Sequence, residues 1–274
     1  MKQFAILVCL LGLTVAAARP GLADRLVPAD AMSAMRDADV VILGEVHDNP
    51  THHLVQAEAL KAVSPSAVVW EMVTEEGAQR LAQKAVSNPE ELSRILEWAE
   101  SGWPPLSMYY PVFEASGAPV YGAMVPRAAA RAAMERGAAT ALGADAARYG
   151  LTVPLSPEEQ AAREADQLAA HCDALPAEKL PQMVAIQRLR DAVLARAVVR
   201  AMDETGGPVA VITGNGHARK DRGIPTYLAR LRPGWKVVAV GQSEDGAIDG
   251  EFDIVIDSPT AEREDPCAAF QVQN

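Results

Sequence analysis

Short apolar runs recur along the chain, and segments with helical patterning separate them. The runs span residues 39–44, 66–71, 118–125, 207–214 and 235–241, and a sixth run at 252–257 is typical of a strand near the sheet edge. Runs of this length without alternating polar residues predict strands that are buried on both faces. Because these strands alternate with helices, we predict an α/β fold, a mostly parallel sheet with helices on both faces.

Start signals for helices are also readable in the sequence. Asn49 and Asn88 are each followed by proline, which places an N-cap before a favoured first helical residue, and Ser156 with Glu159 forms a capping box. Residues 127–205 are rich in alanine, arginine and glutamate, contain no convincing strand and exceed the length that a crossover needs. We therefore predict a helical insertion, or cap, between strands three and four; ordinary crossover helices are the alternative.

The N-terminal residues 1–23 have the pattern of a secretory signal peptide. Lys2 precedes an apolar run at 4–18, and small residues permit cleavage after Ala18 or Ala23. The run is short for a membrane span, and a retained anchor is the alternative reading. We expect a periplasmic or secreted protein.

The cysteines agree with export. Cys9 lies inside the apolar run rather than at its end, so lipoprotein anchoring is not expected. Removal of the signal leaves Cys172 and Cys267, which an oxidising compartment would join in a disulfide; two unpaired cysteines are the alternative. The spacing gives no thiolate zinc site and no covalent haem attachment. Residues 24–274 are expected to form a single domain that includes the insertion.

The charge balance restricts the partners. The formal net charge is −11 and the isoelectric point is about 5.0. An acidic chain repels nucleic acid phosphates, so we expect no nucleic acid partner. A local basic pocket is compatible with this balance.

Ionisable residues follow four of the predicted strands at the same end. Glu45 and His47 come after the first strand, Glu71 ends the second, Arg127 follows the third and His217 follows the fourth. Ligands of open α/β sheets bind beyond the carboxyl ends of the strands. If the sheet is parallel, these residues share one crevice, and they are the candidate catalytic residues.

Two of these segments have the pattern Gly-x-x-His, "GEVH" and "GNGH". A histidine beside Glu45 or Glu71 can act as a general base, and Arg127 can neutralise a carboxylate or an oxyanion. The same histidines and glutamates could hold a divalent metal, or they could form a structural ion-pair network. His52 and His53 lie in the first turn of a predicted helix, where we expect them to be solvated or capping.

Several motifs in order resemble the ChaN-like haem-binding uptake proteins, which form a superfamily with the Tiki peptidases, TraB and the erythromycin esterases. The motifs are "ILGEVHDNPTHH", "VVWEM", "YYPVFEASGAPVYGAMVPR", "HCDALP", "MVAIQRLRDAVLARAV" and "ITGNGHARKDRGIP", within residues 40–228. The resemblance implies non-covalent haem binding by an exported bacterial protein, with haem stacked face to face between two subunits. It also implies a possible homodimer and an outer-membrane haem uptake system as partner.

The same resemblance implies roles for individual residues of this chain. Glu45, His47, Glu71, Arg127 and His217 match the site positions of the superfamily, whose hydrolytic members use the glutamate and histidine of the first motif. Relatives often have asparagine where this chain has Val125, so any role of that position is not carried over.

The resemblance implies a tyrosine ligand for haem iron, and tyrosinate oxygen suits ferric iron. Tyr110 is our first choice and Tyr109 our second; Tyr121, Tyr149 and Tyr227 are the others, and packing of "YYPVF" against the sheet is the alternative for the first two. His171 is a further candidate for haem binding.

Gln187, Arg190 and Asp191 are spaced to share one helix face. We predict that Gln187 and Arg190 contact the cofactor, unless that face is merely solvated. We thus expect either a haem-binding uptake protein or a hydrolase that uses Glu45 and His47; a partner-binding protein is a third hypothesis.

Overall fold

The structure, a computed structural model, describes residues 26–84, 86, 88–265 and 267–268. The predicted signal segment, residues 1–23, and Cys9 within it lie outside the described residues. Among the helices that are described, none is both long enough and apolar enough to cross a lipid bilayer.

The described residues contain a six-stranded sheet in which every neighbouring pair of strands is parallel. The strands are β1 (Val40–Leu43), β2 (Ala67–Trp70), β3 (Val120–Gly122), β4 (Val209–Ile212), β5 (Val237–Glu244) and β6 (Ile254–Ser258). Their order is β3-β2-β4-β1-β5-β6, so β6 is an edge strand as expected. Each strand coincides with or overlaps a predicted apolar run, and the predicted parallel α/β fold is confirmed.

Helices connect the strands along the chain. They are α1 (Ala29–Arg36), α2 (Pro50–Val63), α3 (Glu75–Ala82), α4 (Pro89–Leu96), α5 (Leu106–Ala115), α6 (Arg127–Arg136), α7 (Ala138–Leu142), α8 (Pro157–Ala170), α9 (Leu180–Thr205), α10 (Asn215–Ala218) and α11 (Ile224–Leu231). Helices α6 to α9 all lie between β3 and β4. The described residues 127–205 therefore contain helices and no strand, as predicted, but α9 packs on β2 and β4 as a crossover helix does, so a cap stays a prediction.

The sheet separates two hydrophobic cores, and successive residues of β1 point into opposite ones. Val41 and Leu43 belong to the core that α2, α4 and α5 help to form. Val40 and Ile42 belong to the core that α9 and α11 help to form. Because helices cover both faces, the strand has no polar face, which explains its continuous apolar sequence.

Strands β2, β4 and β1 are neighbours in that order, and they end at the same level. Ile212 of β4 pairs in register with Leu43 of β1 and with Trp70 of β2. The residues that follow these three strands therefore emerge side by side at one edge of the sheet. This edge is where open α/β sheets place their ligands.

The predicted helix starts are confirmed. The side chains of Asn49, Asn88 and Ser156 each accept a hydrogen bond from a backbone amide in the first turn of α2, α4 and α8. The first of these caps is important for the site, because it begins α2 only a few residues after β1 and holds the first turn of α2 against the end of that strand.

Cys172 and Cys267 form the predicted disulfide. The bond joins the chain just after α8 to the C-terminal tail. The guanidinium of Arg263, in the same tail, pairs with Glu244 at the end of β5 and with Asp48. The tail is thus attached both to the helical insertion and to the sheet.

Candidate functional site

Glu45 is the centre of a buried polar cluster at the end of β1. Its Oε1 lies 2.7 Å from Nδ1 of His47 and accepts a hydrogen bond of 2.9 Å from the Tyr109 hydroxyl. Its Oε2 accepts a hydrogen bond of 2.7 Å from Gln56 Nε2 and lies 3.4 Å from Nε2 of His53. The carboxylate is 2% exposed, so these groups replace the water that it would otherwise bind.

The surroundings keep Glu45 ionised. Burial alone would raise the pKa of Glu45, but the hydrogen bond to His47, the charge of His47 and the nearby imidazole of His53 lower that pKa to about 2. For His47, burial disfavours the charged ring, yet the hydrogen bond to Glu45 and the charge of Glu71 raise its pKa above the usual value. Burial and the negative charge of Glu45 raise the pKa of Tyr109 far above its ordinary range, so its hydroxyl stays a donor.

A second buried cluster surrounds Glu71 at the end of β2. Glu71 Oε2 accepts hydrogen bonds from the Thr213 hydroxyl at 2.7 Å and from the Gly214 amide at 2.9 Å. Its Oε1 lies 3.4 Å from Nε2 of His217. The other ring nitrogen of His217, Nδ1, lies 2.7 Å from Oδ1 of Asp191 on α9. Strands β2 and β4 and the helical insertion all contribute to this cluster.

His217 is held between two carboxylates and keeps its proton. Burial alone would lower the pKa of His217, but the charges of Glu71 and Asp191 raise it to about 10. Burial would likewise raise the pKa of Glu71, but the charge of His217 and its hydrogen bond lower it well below the usual range. Burial raises the pKa of Asp191, which His217 offsets only in part. At neutral pH His217 is therefore an imidazolium with one carboxylate facing each ring nitrogen.

His47 links the two clusters and is their most accessible member. Its Nδ1 faces Glu45, and its Nε2 lies 3.9 Å from Oε2 of Glu71. The side chain is 30% exposed, and its ring packs against Trp103 with the ring centroids 4.7 Å apart. A ligand can therefore reach this imidazole, whereas Glu45 and Glu71 are almost entirely buried.

The two Gly-x-x-His motifs fit into one another. A Cβ atom at Gly44 of the first motif would lie 2.4 Å from Oδ1 of Asn215 in the second motif and 2.9 Å from the carbonyl oxygen of Val240. A Cβ atom at Gly214 of the second motif would lie 2.8 Å from Nε2 of His47 in the first. Each glycine thus makes room for a polar side chain of the other motif.

A cavity of about 1040 Å³, here called the main cavity, lies over the two clusters. Helices α8 and α9 of the insertion, the strand-end residues and the segment 247–249 contribute to its walls. The ionisable residues among those lining it are Glu45, His47, Glu71, Arg163, Asp166, Arg190, Asp191, His217, Arg219, Arg222 and Asp249. Its lining also includes Trp103 and Gln187. The cavity is large enough for a drug-sized or larger ligand.

The structure brings together four of the five strand-end residues. Glu45, His47, Glu71 and His217 form the joined clusters beneath the main cavity. Arg127 is the exception, because it lines a smaller neighbouring cavity and does not contact the clusters. The catalytic role of all five stays a prediction.

The predicted haem contacts are more scattered. Gln187 and Arg190 line the main cavity. His171 follows α8, and its Nδ1 lies 2.7 Å from the carbonyl oxygen of Gln167; it is not among the described residues that line the cavity. Tyr109 is fully buried and belongs to the Glu45 cluster, while Tyr110 is half-buried against the core and also does not line the cavity.

The remaining tyrosines lie in the core on the α9 side of the sheet. The hydroxyl of Tyr121 donates to Glu204 at 2.7 Å, and that of Tyr227 to the carbonyl oxygen of Arg188 at 3.3 Å. Tyr149 is buried there too. None of the three is among the described residues that line the main cavity.

The expectation that His52 and His53 are solvated is wrong, because both rings are fully buried. His52 accepts a hydrogen bond of 2.9 Å from the Val46 amide through Nδ1, which orders the turn after β1. His53 packs on Tyr109 with ring centroids 4.0 Å apart and faces Glu45. The first turn of α2 lies directly against the end of β1, so its side chains point into the molecule.

Sequence reasoning missed several members of the clusters, above all Gln56, Trp103 and Thr213. One signal could have found the first, since His53 and Gln56 are three residues apart and so share a face of α2.

Among the described residues, no group of three or more histidine, cysteine, aspartate or glutamate side chains is arranged to hold a metal ion.

A parallel sheet with carboxylate–imidazole clusters at its carboxyl edge and a large cavity above them defines an α/β protein that binds or transforms a ligand at the strand ends. The family model described as "Haem-binding uptake, Tiki superfamily, ChaN" matches residues 31–228, and the chain belongs to this family. The predicted family is thereby confirmed. No curated protein matches the chain.

The chain is similar to two solved structures, and the first of them shows the same fold. ChaN of Campylobacter jejuni, whose structure is described as cofacial haem binding, is 22% identical with a TM-score of 0.64, and the alignment covers 80% of this chain and 87% of that one. The type III effector HopBA1 is 15% identical with a TM-score of 0.43, over 84% of this chain and 92% of that chain.

Proposed function

We propose that this chain binds haem non-covalently, as cargo of a bacterial haem and iron uptake system. Its membership in a family of haem-binding uptake proteins supports the proposal. The observation that carries it is the main cavity, which combines a flat indole ring, a partly exposed imidazole and an arginine. In this proposal haem is the transported ligand. The site therefore binds haem reversibly and does not catalyse a reaction at the iron.

The residues of the cavity fit an iron porphyrin that carries two carboxylates. Nδ1 of His47 is held by Glu45, so Nε2 is the ring nitrogen that would bind iron once the metal displaces its proton, a common arrangement for histidines that bind metal. The ring of Trp103 offers an apolar face to the macrocycle. Arg190 and Gln187 on α9 supply donors for the propionates.

A tyrosine ligand remains an alternative, and the two candidates differ sharply. Tyr109 is a poor ligand, because its hydroxyl donates to Glu45 and its raised pKa opposes the tyrosinate form. Tyr110 is only half-buried, but it does not line the main cavity. Iron bound by Tyr110 would lie outside that cavity. In that case we propose that the haem is held between two copies of the chain. This arrangement agrees with the cofacial haem binding described for ChaN of Campylobacter jejuni.

An absorbance titration with hemin tests the proposal and separates the ligands. We expect a shifted Soret band in the wild-type protein, and His47→Gln or Tyr110→Phe should weaken it according to which residue binds iron. His171→Gln is the matched control, since this histidine does not line the cavity. A spectrum that stays that of free hemin would show that the protein does not bind haem. Sedimentation with and without hemin tests the homodimer.

Export to the periplasm or beyond is part of the same proposal. The disulfide between Cys172 and Cys267 supports it, because such bonds persist in oxidising compartments. We propose an outer-membrane haem uptake system as the partner. Loss of growth on hemin as sole iron source after deletion of the gene, with normal growth on ferric citrate, is the result we expect.

A hydrolase is the second candidate, and the joined clusters favour it. His47 is reachable from the cavity, and the two ionised carboxylates beside it stabilise the imidazolium that forms when the neutral ring takes a proton from water. Arg190 lines the same cavity without an ionic partner among the described residues and can stabilise a developing oxyanion. Among the described residues that line the cavity there is no serine, threonine or cysteine, so water would be the nucleophile.

A panel of p-nitrophenyl esters and short peptides tests the second candidate in protein free of hemin. Turnover that Glu45→Gln lowers by at least about a hundredfold would support it, since the base would lose its partner. Turnover that this variant leaves unchanged would come from a contaminant. A protein with neither turnover nor hemin binding would leave only the hypothesis of a partner-binding protein.

A further inference from the structure

A second, smaller cavity adjoins the main one, and we call it the side cavity. Its volume is about 260 Å³, and it shares Glu71, Trp103 and Arg190 with the lining of the main cavity. Arg127 lines only the side cavity. The two spaces therefore meet beside Glu71, and one bound molecule can extend from one into the other.

Two arginines face the side cavity without an ionic partner in the described part of the chain. Arg127 and Arg190 both line it, and neither forms an ion pair or side-chain hydrogen bond with another described residue. The other arginines of the main cavity differ: Arg219 and Arg222 both pair with Asp166, and Arg163 pairs with a glutamate one turn earlier in α8. In a chain with a net charge of −11, two unneutralised guanidinium groups around one small space form a local site for an anion.

The start of helix α6 points to the same ligand class. Helix α6 begins at Arg127 and has no side-chain cap; the amides of Ala129 and Ala130 donate to the Pro126 carbonyl, which leaves those of Arg127 and Ala128 for a ligand, and the helix dipole adds positive charge. An oxygen-bearing anion could satisfy donors of this kind.

Much of the rest of the side cavity is apolar, and the hydroxyl of Ser101, which also lines it, donates to the carbonyl oxygen of Trp98. Met124, Val125 and Leu194 contribute to its walls together with small alanine side chains. Glu71 also lines it, but that carboxylate is already bonded to Thr213 and His217. Arginines beside an apolar wall suit a carboxylate that is carried on a short alkyl chain, and they suit a bare inorganic ion less well.

We propose that the side cavity is a subsite for an alkyl carboxylate, with Arg127 and Arg190 as its binding residues. The nature of the complete ligand rests on the proposed function: the carboxylate is a propionate if the cargo is haem, and a substrate carboxylate if the protein is a hydrolase. Arg127, which sequence reasoning grouped with the catalytic residues, is in this proposal a binding residue. Molecules that lack a free carboxylate are bound more weakly.

Two pairs of probes test the subsite on the full chain. Butyrate and butyramide, followed by saturation-transfer NMR, measure the subsite without haem. Hemin and hemin dimethyl ester, followed by Soret absorbance, measure it with haem. The variants are Arg127→Ala, Arg190→Ala and Arg190→Lys, and Arg131→Ala is the matched control because it lies one turn further along α6 and lines neither cavity.

We expect the wild-type protein to prefer each carboxylate over its neutral analogue. Both alanine variants should lose about tenfold or more of that affinity and keep their affinity for the neutral probes, while Arg190→Lys keeps part of it. Circular dichroism checks that the variants are folded. If neither alanine variant loses affinity for butyrate or for hemin, the subsite does not exist.

The design separates this proposal from the haem proposal. Butyrate binding that depends on both arginines, in a protein that does not bind hemin, would leave the subsite standing and remove haem as the cargo. Hemin binding that is unaffected in Arg127→Ala and Arg190→Ala, without butyrate binding, would leave haem standing and remove the subsite.

Discussion

Gly214 leaves the space that the imidazole ring of His47 occupies. A Cβ atom at position 214 would lie 2.8 Å from Nε2 of His47. The backbone of Gly214 has φ −64° and ψ 151°, values that any residue adopts. The position therefore requires glycine for its lack of a side chain and not for its backbone conformation.

We predict that Gly214→Ala displaces the His47 ring and disturbs its contact with Glu71. Binding of hemin, or turnover if the protein is a hydrolase, should fall by about tenfold or more, because misplacement of a site residue by less than an ångström is costly. Hemin titration and the ester panel measure the change. Gly216→Ala is the control, since a Cβ atom there meets nothing within 4 Å. Equal effects of both substitutions would contradict the steric explanation.

Tyr109→Phe should destabilise the fold, because it removes a hydrogen-bond donor from the buried carboxylate of Glu45. The expected loss of unfolding free energy is about 1–3 kcal/mol, measured by urea denaturation. Tyr110→Phe, at the next position of the same helix, should change the stability by less than about 0.5 kcal/mol. A Tyr109→Phe variant as stable as the wild type would mean that Glu45 does not need the phenol.

His217 should make stability depend on pH in the alkaline range. Its pKa is raised from 6.5 to about 10 in the folded protein, so the folded state binds the proton more tightly than the unfolded state. This stabilisation is complete below pH 6.5 and is lost as the pH rises towards 10. Urea unfolding at pH 6, 8 and 10 should show a fall that is smaller in His217→Gln. An identical alkaline slope in both proteins would contradict the prediction.

Glu45 should have the opposite effect in the acidic range. Its pKa is lowered from 4.5 to about 2 on folding, so its contribution is present above pH 4.5 and is lost as the pH falls towards 2. We expect Glu45→Gln to be less stable than the wild type at pH 6 and to lose less stability between pH 5 and 3. Parallel acid curves for the two proteins would rule out this role.

The disulfide should stabilise the folded chain through the long loop that it closes. The two cysteines are 95 residues apart, which in the chain-entropy model corresponds to at most about 4–5 kcal/mol. Reduction, or Cys172→Ser with Cys267→Ser, should lower the melting temperature by several degrees. Mass spectrometry of the unreduced protein should find one cross-linked peptide. Two free thiols would contradict the prediction.

Local sequence patterns were enough to predict the strands. They also predicted that four of the strand-end residues meet, namely Glu45, His47, Glu71 and His217. A strand buried on both faces has a continuous apolar sequence, and parallel strands bring their carboxyl ends to one edge. The order of the strands was not predictable, because the insertion of β4 between β1 and β2 depends on contacts between distant segments.

Arg127 shows where the same reasoning fails. It follows β3, an edge strand that β2 separates from β4, and four residues lie between Gly122 at the end of that strand and the arginine. That distance carries Arg127 past the shared clusters to the side cavity. Position after a strand end predicts the edge of the sheet, but the length of the following segment decides which space the side chain reaches.

The buried histidines show a second limit. His52 and His53 lie in the first turn of α2, where side chains are commonly solvated, and only the packing of α2 against the end of β1 buries them. Tyr109 likewise reaches Glu45 from α5, a helix far away in the chain. Contacts of this kind depend on how distant elements pack against one another. Local sequence patterns carry no information about that packing.

The attachment of the C-terminal tail at two points has a consequence for measurement. One point is covalent, at the end of a helix that walls the main cavity, and the other is the ion pair of Arg263 with the sheet. If a bound ligand displaced α8, the disulfide would transmit that movement to the C-terminal tail. A fluorophore attached to the C-terminal tail would therefore report occupancy of the main cavity.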